Sequence, residues 1–283
     1  MTRTERRDLA VNTVDSIFND FDESFSRAVA LFKTPKDAIE ILLAPHAVGF
    51  AEYTGEVRNL SILLGEGKVL SWNETIKKIH SLTKSKMRSL ISPGDYITIP
   101  VDVPAEIFKS YKFPAIKVEN AKLIVTHCYY DGVVFNFEDV LFQAPMNKDH
   151  TNDGSFKKSL LAEYLNVHFL NSVFKDVKDC LGTNNDGLKV SLPTWVEVFG
   201  EDEDGDYKSV NWGEHEKQHS YFCKCTNRIK VRADDRDDTW WWWLSTPHAG
   251  NATAFCIVNS HGAASGLNAS RAAGGVAPAI CVS

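Results

Sequence analysis

The last forty residues, Leu244 to Ser283, contain no Lys, Glu, Asp, Gln, Met, Tyr or Trp, and one formal charge, Arg271. The whole chain carries 31 Lys+Arg and 37 Asp+Glu in 283 residues, a density at which forty residues hold about ten charges. Other absences narrow the function classes. No apolar run approaches the ~20 residues of a membrane-spanning helix; the longest are stretches such as IEILLAPHAVGFA. The first ten residues are charged and have no signal-peptide core, so the expectation is a chain made in, and at first held in, a cytoplasm. Its six cysteines (128, 180, 223, 225, 256, 281) then read as reduced thiols, and its four Asn-x-Ser/Thr sequons, at Asn59, Asn73, Asn251 and Asn268, as without a glycosylation role. A net charge of −6 gives no reason to expect a broad nucleic-acid or anionic-membrane surface, the short apolar runs give none to expect membrane insertion, and the basic runs RTERR and KKIHSLTKSKMR read as solvated helix faces. No G-x-S-x-G elbow, Walker loop or H-E-x-x-H motif is present.

What is there begins with an apolar stripe at three-four spacing over residues 8–33, with Phe18, Phe21, Phe25 and Phe32. Thr34-Pro35 then reads as the start of a second helix running to about Ala44. Residues 1–65 read as a small, mostly helical module whose stripe packs on the main domain or on other copies in a homo-oligomer. Ser71 and Glu74 form a capping box ahead of Ile76, Ile79 and Leu82. Residues 96–103, 121–130, 132–137 and 189–200 read as strands, and 155–178 as a helix. Helices set among many short strands and polar loops predict an α+β fold.

The residues that invite chemistry do not assemble into a site. The acidic loop 201–206 offers oxygen ligands but lacks EF-hand spacing and its terminal Glu, and reads as a solvated turn, as does ADDRDD at 233–238. Cys223-Lys-Cys225 has too short a spacing for a zinc pair and reads as two buried thiols on one strand face. His127 and Cys128 are strand neighbours that point to opposite faces. The reading is of no catalytic residue, no metal site and no cofactor.

An ordered series of short motifs runs through the rest. It begins with Ser92-Pro93-Gly94-Asp95-Tyr96 and Leu141-Phe142-Gln143, followed by Leu161–Asn166 with Phe169-Leu170-Asn171, and by Leu192-Pro193-Thr194 with Glu197–Gly200. It closes with Trp242–Pro247, Val258–Gly262 and Gly275–Ala279. In this order they resemble a C-type-lectin-like domain common in phages and bacteria of the Firmicutes type, where such domains serve as variable proteins of diversity-generating retroelements. That family reads WWLRSP and GVRPA at the last places; here Ser245 and Ala277 replace the two arginines. The resemblance implies that reverse transcription of a template randomises adenines and rewrites the 3′ end of the gene. Codons drawn from NNC encode no Lys, Glu, Gln, Met or Trp, the five residues missing from this tail among others.

The resemblance further implies a lectin-like domain over 66–283 with a variable region about 244–275. It implies a non-enzymatic receptor-binding protein, such as a phage tail protein that attaches to a bacterial surface protein or glycan and is assembled with virion tail proteins in the host cytoplasm. A cytoplasmic bacterial protein is the alternative location. Two other readings remain open: a formylglycine-generating type of enzyme on the same fold, for which Cys256 and Cys281 are the candidate thiols, and a structural virion protein. Calcium dependence is open. The expected variable positions are Ser245, Thr246, His248, Gly250, Ala254, Ile257, His261, Ala263, Ser265, Gly266, Leu267, Arg271 and Ala273, flanked by Trp240 and Trp241. Strand alternation from Phe255 predicts an inner face of Cys256, Val258, Ser260, Gly262 and Ala264, and an outer face of Ile257, Asn259, His261, Ala263 and Ser265. A patch this rich in Ala, Gly and Ser anchors weakly, which predicts weak monovalent binding strengthened by several copies.

Overall fold

The computed structural model describes residues 57–129, 132–200, 207, 211–212 and 218–283. The chain divides into two compact units, Met1–Glu52 and Tyr53–Ser283. The stripe over 8–33, the helix expected to Ala44 and the acidic loop 201–206 lie outside the described residues. Leu60 and Leu64 are buried in the main hydrophobic core, so the second unit takes in residues that the sequence reading assigned to the N-terminal module.

Three short helices open the described chain: α1 (Leu60–Leu63), α2 (Trp72–Ser81) and α3 (Lys84–Leu90). α2 starts at its capping box. Glu74 N–H donates to Ser71 Oγ at 3.3 Å, and Ser71 N–H donates to the Glu74 carboxylate at 2.8 Å. Two N–H groups orphaned by the helix start are thereby satisfied. Ile76 and Ile79 fall on one face and are fully buried. After α3 the Ser92–Asp95 turn is clamped. The buried Asp95 carboxylate accepts Ser92 N–H at 2.8 Å and two Arg58 N–H groups at 2.9 and 2.7 Å.

The strands follow as β1 (Tyr96–Val103), β2 (Glu106–Phe108), β3 (Tyr111–Phe113), β4 (Ile116–Cys128), β5 (Val133–Phe137) and β6 (Phe142–Gln143). The stretch expected as one helix over 155–178 is a succession of turns. A 3-10 turn at Phe156–Lys158 leads into α4 (Leu160–Tyr164), a π-helical turn at Leu165–Phe169 and α5 (Leu170–Val173), then a 3-10 segment at Lys175–Cys180. After β7 (Val190–Ser191) comes α6 (Trp195–Phe199). This corrects the strand reading of 189–200. Thr194-x-x-Glu197 is a second capping box, with Thr194 N–H on Glu197 Oε2 at 2.8 Å and Glu197 N–H on Thr194 Oγ1 at 3.2 Å. Its local pairing outweighs the β-propensity of Val196, Val198 and Phe199.

The remaining strands are β8 (Lys230–Arg232), β9 (Asp235–Trp240), β10 (Trp242–Pro247), β11 (Ala254–Val258), β12 (Ala264–Asn268), β13 (Gly275–Val276) and β14 (Ala279–Val282). One five-stranded sheet runs β1-β4-β5-β14-β7 and another runs β12-β11-β10-β13-β6, so the described unit is an α+β domain with several sheets. Pairing is antiparallel except between β10 and β13. The last strand, β14, lies between β5 and β7 in the first sheet.

Strand alternation at β10 and β11 sorts side chains between two cores instead of between core and solvent. Trp243, Phe255 and Ile257 belong to the large cluster that also holds Phe137, Phe169 and Ile280. Trp242, Leu244, Cys256 and Val258 join a second cluster with Val198, Phe222 and Ala277. The second sheet is thus covered on both faces along these strands, and all five residues of β11 are buried. Trp242 and Trp243 are fully buried, each with its indole N–H satisfied, by Arg228 O at 2.9 Å and Ala144 O at 2.8 Å. Trp240 and Trp241 are half-buried and stack with centroids 5.9 Å apart.

Candidate functional site

The expected variable positions divide by burial. Gly250, His261, Ala263, Ser265, Gly266 and Arg271 are exposed, and His248, Leu267 and Ala273 are half-buried. Ser245, Thr246, Ala254 and Ile257 are buried, which corrects their expected outward display. The reason is local in each case. Ser245 N–H donates to Pro193 O at 2.9 Å, and Thr246 Oγ1 accepts Trp195 N–H at 2.8 Å, so both are held beneath the α6 segment. Ala254 and Ile257 lie in β11, which has core on both faces. The predicted inner and outer alternation therefore fails within β11 and in β12, where Ala264 is exposed.

His261, Ala263, Ser265, Gly266 and Arg271 lie on one continuous run of chain, the edge strand β12 and the loops at its two ends, while Gly250 lies in the β10–β11 loop. β12 pairs with β11 on one side only among the described residues, from Ala254 opposite Asn268 to Val258 opposite Ala264. Three asparagines lock the loops around it. Asn251 Oδ1 accepts Thr253 N–H at 2.9 Å and the Thr253 hydroxyl at 2.7 Å. Asn259 Oδ1 accepts His261 N–H at 2.9 Å and Ala263 N–H at 3.1 Å. Asn268 Oδ1 accepts Ser270 N–H at 3.1 Å and the Ser270 hydroxyl at 3.0 Å. Each is a side chain mimicking a backbone turn. The sequon spelling at Asn251 and Asn268 is accounted for by these turns.

Glycines complete the frame where the chain approaches other groups closely. Gly262 has φ of 80°, and a Cβ there would stand 2.8 Å from Cys225 O. A Cβ on Gly275 would stand 2.5 Å from Trp241 O. His248 lies across Gly266, where a Cβ would meet its ring carbon at 2.5 Å, so a side chain at 266 requires the His248 ring to move or be replaced. Loop geometry is carried by Asn and Gly, while the side chains of His261, Ala263, Ser265 and Arg271 project from it.

A second constellation escaped the sequence reading. Glu197 on α6 is fully buried and accepts Thr194 N–H and Asn211 N–H at 2.8 Å and Asn211 Nδ2 at 2.9 Å. Burial raises its carboxyl to about 7 against these bonds. His219 Nε2 lies 3.8 Å from Glu197 Oε1 and 3.2 Å from Tyr129 OH, and its Nδ1 lies 3.0 Å from Thr126 Oγ1. Burial holds His219 well below the usual imidazole range, and the ring of His127 stacks on it at 5.0 Å. These residues span the chain from 126 to 219, so no spacing rule joins them. Only the Thr194-x-x-Glu197 box left a trace in the sequence. The arrangement satisfies a buried carboxylate beside a neutral imidazole.

Cys223 and Cys225 are exposed in 3-10 turns, which corrects the expectation of buried thiols on a strand. Cys256 and Cys281 lie in different sheets and separate apolar clusters, and burial pushes the Cys256 thiol up to about 11. Among the described residues no group of three or more His, Cys, Asp or Glu gathers to hold a metal ion. No helix among them is long and apolar enough to cross a membrane.

The chain belongs to the family described as a domain of unknown function, DUF6273, whose model matches residues 130–283. The matched span contains β5 to β14 and every residue of the β12 surface. No curated protein and no solved structure matches the chain.

Proposed function

We propose that the chain is a non-enzymatic binding protein on a C-type-lectin-like fold. Its β12 surface is diversified by a retroelement, and it attaches a phage tail to a surface molecule of a bacterial host. The observation that carries this reading is the division of labour around β12. Turn asparagines, close-packed glycines and two buried tryptophans hold the backbone, so His261, Ala263, Ser265 and Arg271 can change without loss of fold. The five residues that NNC codons cannot encode, Lys, Glu, Gln, Met and Trp, are all absent from the tail, which supports the same reading independently. The patch narrows to Gly250, His261, Ala263, Ser265, Gly266 and Arg271, with His248, Leu267 and Ala273 at its margin. Trp240 borders it through its N–H on Ala273 O at 3.0 Å.

The test is genomic and then functional. A near-copy of the coding segment for this surface, differing at adenines and lying near a reverse-transcriptase gene, is expected. Exchange of His261, Ala263, Ser265 and Arg271 for a second natural set is expected to change host adsorption while particles assemble normally. Absence of any template copy overturns the retroelement part. Unchanged adsorption overturns the binding part.

A further inference from the structure

Away from the β12 surface, the first sheet carries a cavity of ≈ 190 Å³ lined by β4, β5 and the chain from Tyr221 to Lys230. Alternation explains its polarity. Leu123, Val125, Phe135 and Phe137 face the large core, so their neighbours Ile124, Thr126 and Asn136 face the other way. Asn136 is buried, and both its amide hydrogens are engaged by Ala277 O at 2.8 Å and Pro278 O at 3.0 Å. That pairing fixes the amide orientation and leaves Oδ1, also buried, with no hydrogen-bond partner. A buried acceptor left open in a cavity wall needs a donor from whatever fills the cavity.

The remaining walls select the chemistry of that filler. Lys230 is buried, donates to Phe137 O at 2.5 Å and Glu138 O at 3.2 Å, and rests 4.8 Å from the Trp242 ring centroid. Glu138 lines the same cavity, with its carboxylate 3.4 Å from Lys122. An anionic solute meets the Glu138 carboxylate, and a cationic one meets Lys230, whose amine burial holds down to about 7 and whose hydrogens already point at Phe137 O and Glu138 O, so it offers a cation no acceptor below that pH. An uncharged solute whose groups both donate and accept matches Asn136 Oδ1, the Thr226 hydroxyl and these two charged walls together. The volume equals that of roughly six water molecules at about 30 Å³ each, the size of a three- or four-carbon polyol.

We propose that this cavity is a binding site for a small uncharged polyol, held by the open Asn136 acceptor and the Lys230 and Thr226 donors. Binding here does not depend on the reading of the β12 surface. Erythritol is the probe, with acetate and methylammonium as charged comparators. Saturation-transfer NMR is expected to show saturable erythritol binding in the millimolar range and at least ten-fold weaker binding of either ion. Thr226 is exposed, so Thr226→Trp blocks the cavity at little risk to the fold and is expected to weaken erythritol binding at least ten-fold. Ile229→Phe fills the cavity from a second wall and is expected to do the same. A non-saturating rise in melting temperature, equal in wild type and Thr226→Trp, is solvent exclusion and overturns the proposal. So does an absence of binding, or a preference for either ion.

Discussion

Gly274 lies against the indole of Trp243 so closely that a Cβ on the glycine would overlap the ring nitrogen and its neighbours. The indole cannot retreat, because it is fully buried and its N–H is held by Ala144 O at 2.8 Å. Gly274→Ala is therefore expected to destabilise the domain by about 1–3 kcal/mol through overpacking, measured by urea denaturation. Arg271→Ala, three residues earlier on the exposed loop, is expected to stay within about 0.5 kcal/mol of wild type. Equal effects of the two would undo the separation of frame from display.

Removing the tryptophan itself tests the same packing from the other side. Trp243→Ala is expected to destabilise by about 3–5 kcal/mol, because it empties a fully buried site and leaves Ala144 O unpaired. Trp240→Ala, half-buried, is expected to lose clearly less.

The turn asparagines give a third prediction. Asn259→Ala removes the acceptor for His261 and Ala263 N–H and is expected to weaken stability by about 1 kcal/mol. Faster amide hydrogen exchange confined to residues 259–263 would show that the side chain holds this loop. Unchanged exchange would show that the hairpin alone suffices.

Glu197 makes stability depend on pH. Its folded value is raised from 4.5 to about 7, so the folded chain holds a proton between these values that the unfolded chain has released. The contribution is fully present below 4.5 and is lost as pH rises through 7. His219 acts oppositely, since its depressed value makes stability fall as pH drops below 6.5. Glu197→Gln isolates the first effect. It is expected to destabilise by about 1–3 kcal/mol, because an amide NH₂ must face an N–H donor. Its deficit relative to wild type is expected to shrink from pH 5 to pH 8, read as melting-temperature differences. A deficit that grows with pH would contradict the raised carboxyl.

Local chemistry was the legible part of this chain. The Ser71–Glu74 box placed a helix start, apolar spacing over 155–178 located a helical region, and the strands expected at 96–103, 121–130 and 132–137 fall on β1, the second half of β4 and β5, while β2, β3 and the start of β4 gave no signal. These signals depend on neighbours within four residues, which a sequence displays directly. The helix α6 was misread although its capping box was present, because Val196, Val198 and Phe199 favour extended structure equally well.

Composition alone set the C-terminal forty residues apart, while the close approaches that make Gly262, Gly274 and Gly275 part of the frame exist only in the folded chain. Which of their neighbours face solvent was settled only by tertiary packing. An alternating strand has two faces, and alternation says nothing about what covers each. β11 acquired a core on both sides, from the cluster around Phe169 and the one around Phe222, so Ile257 is buried where a one-sided sheet would expose it. The meeting of Glu197 with His219, and of Asn136 with Lys230 around one cavity, likewise depended on distant segments folding over the first sheet.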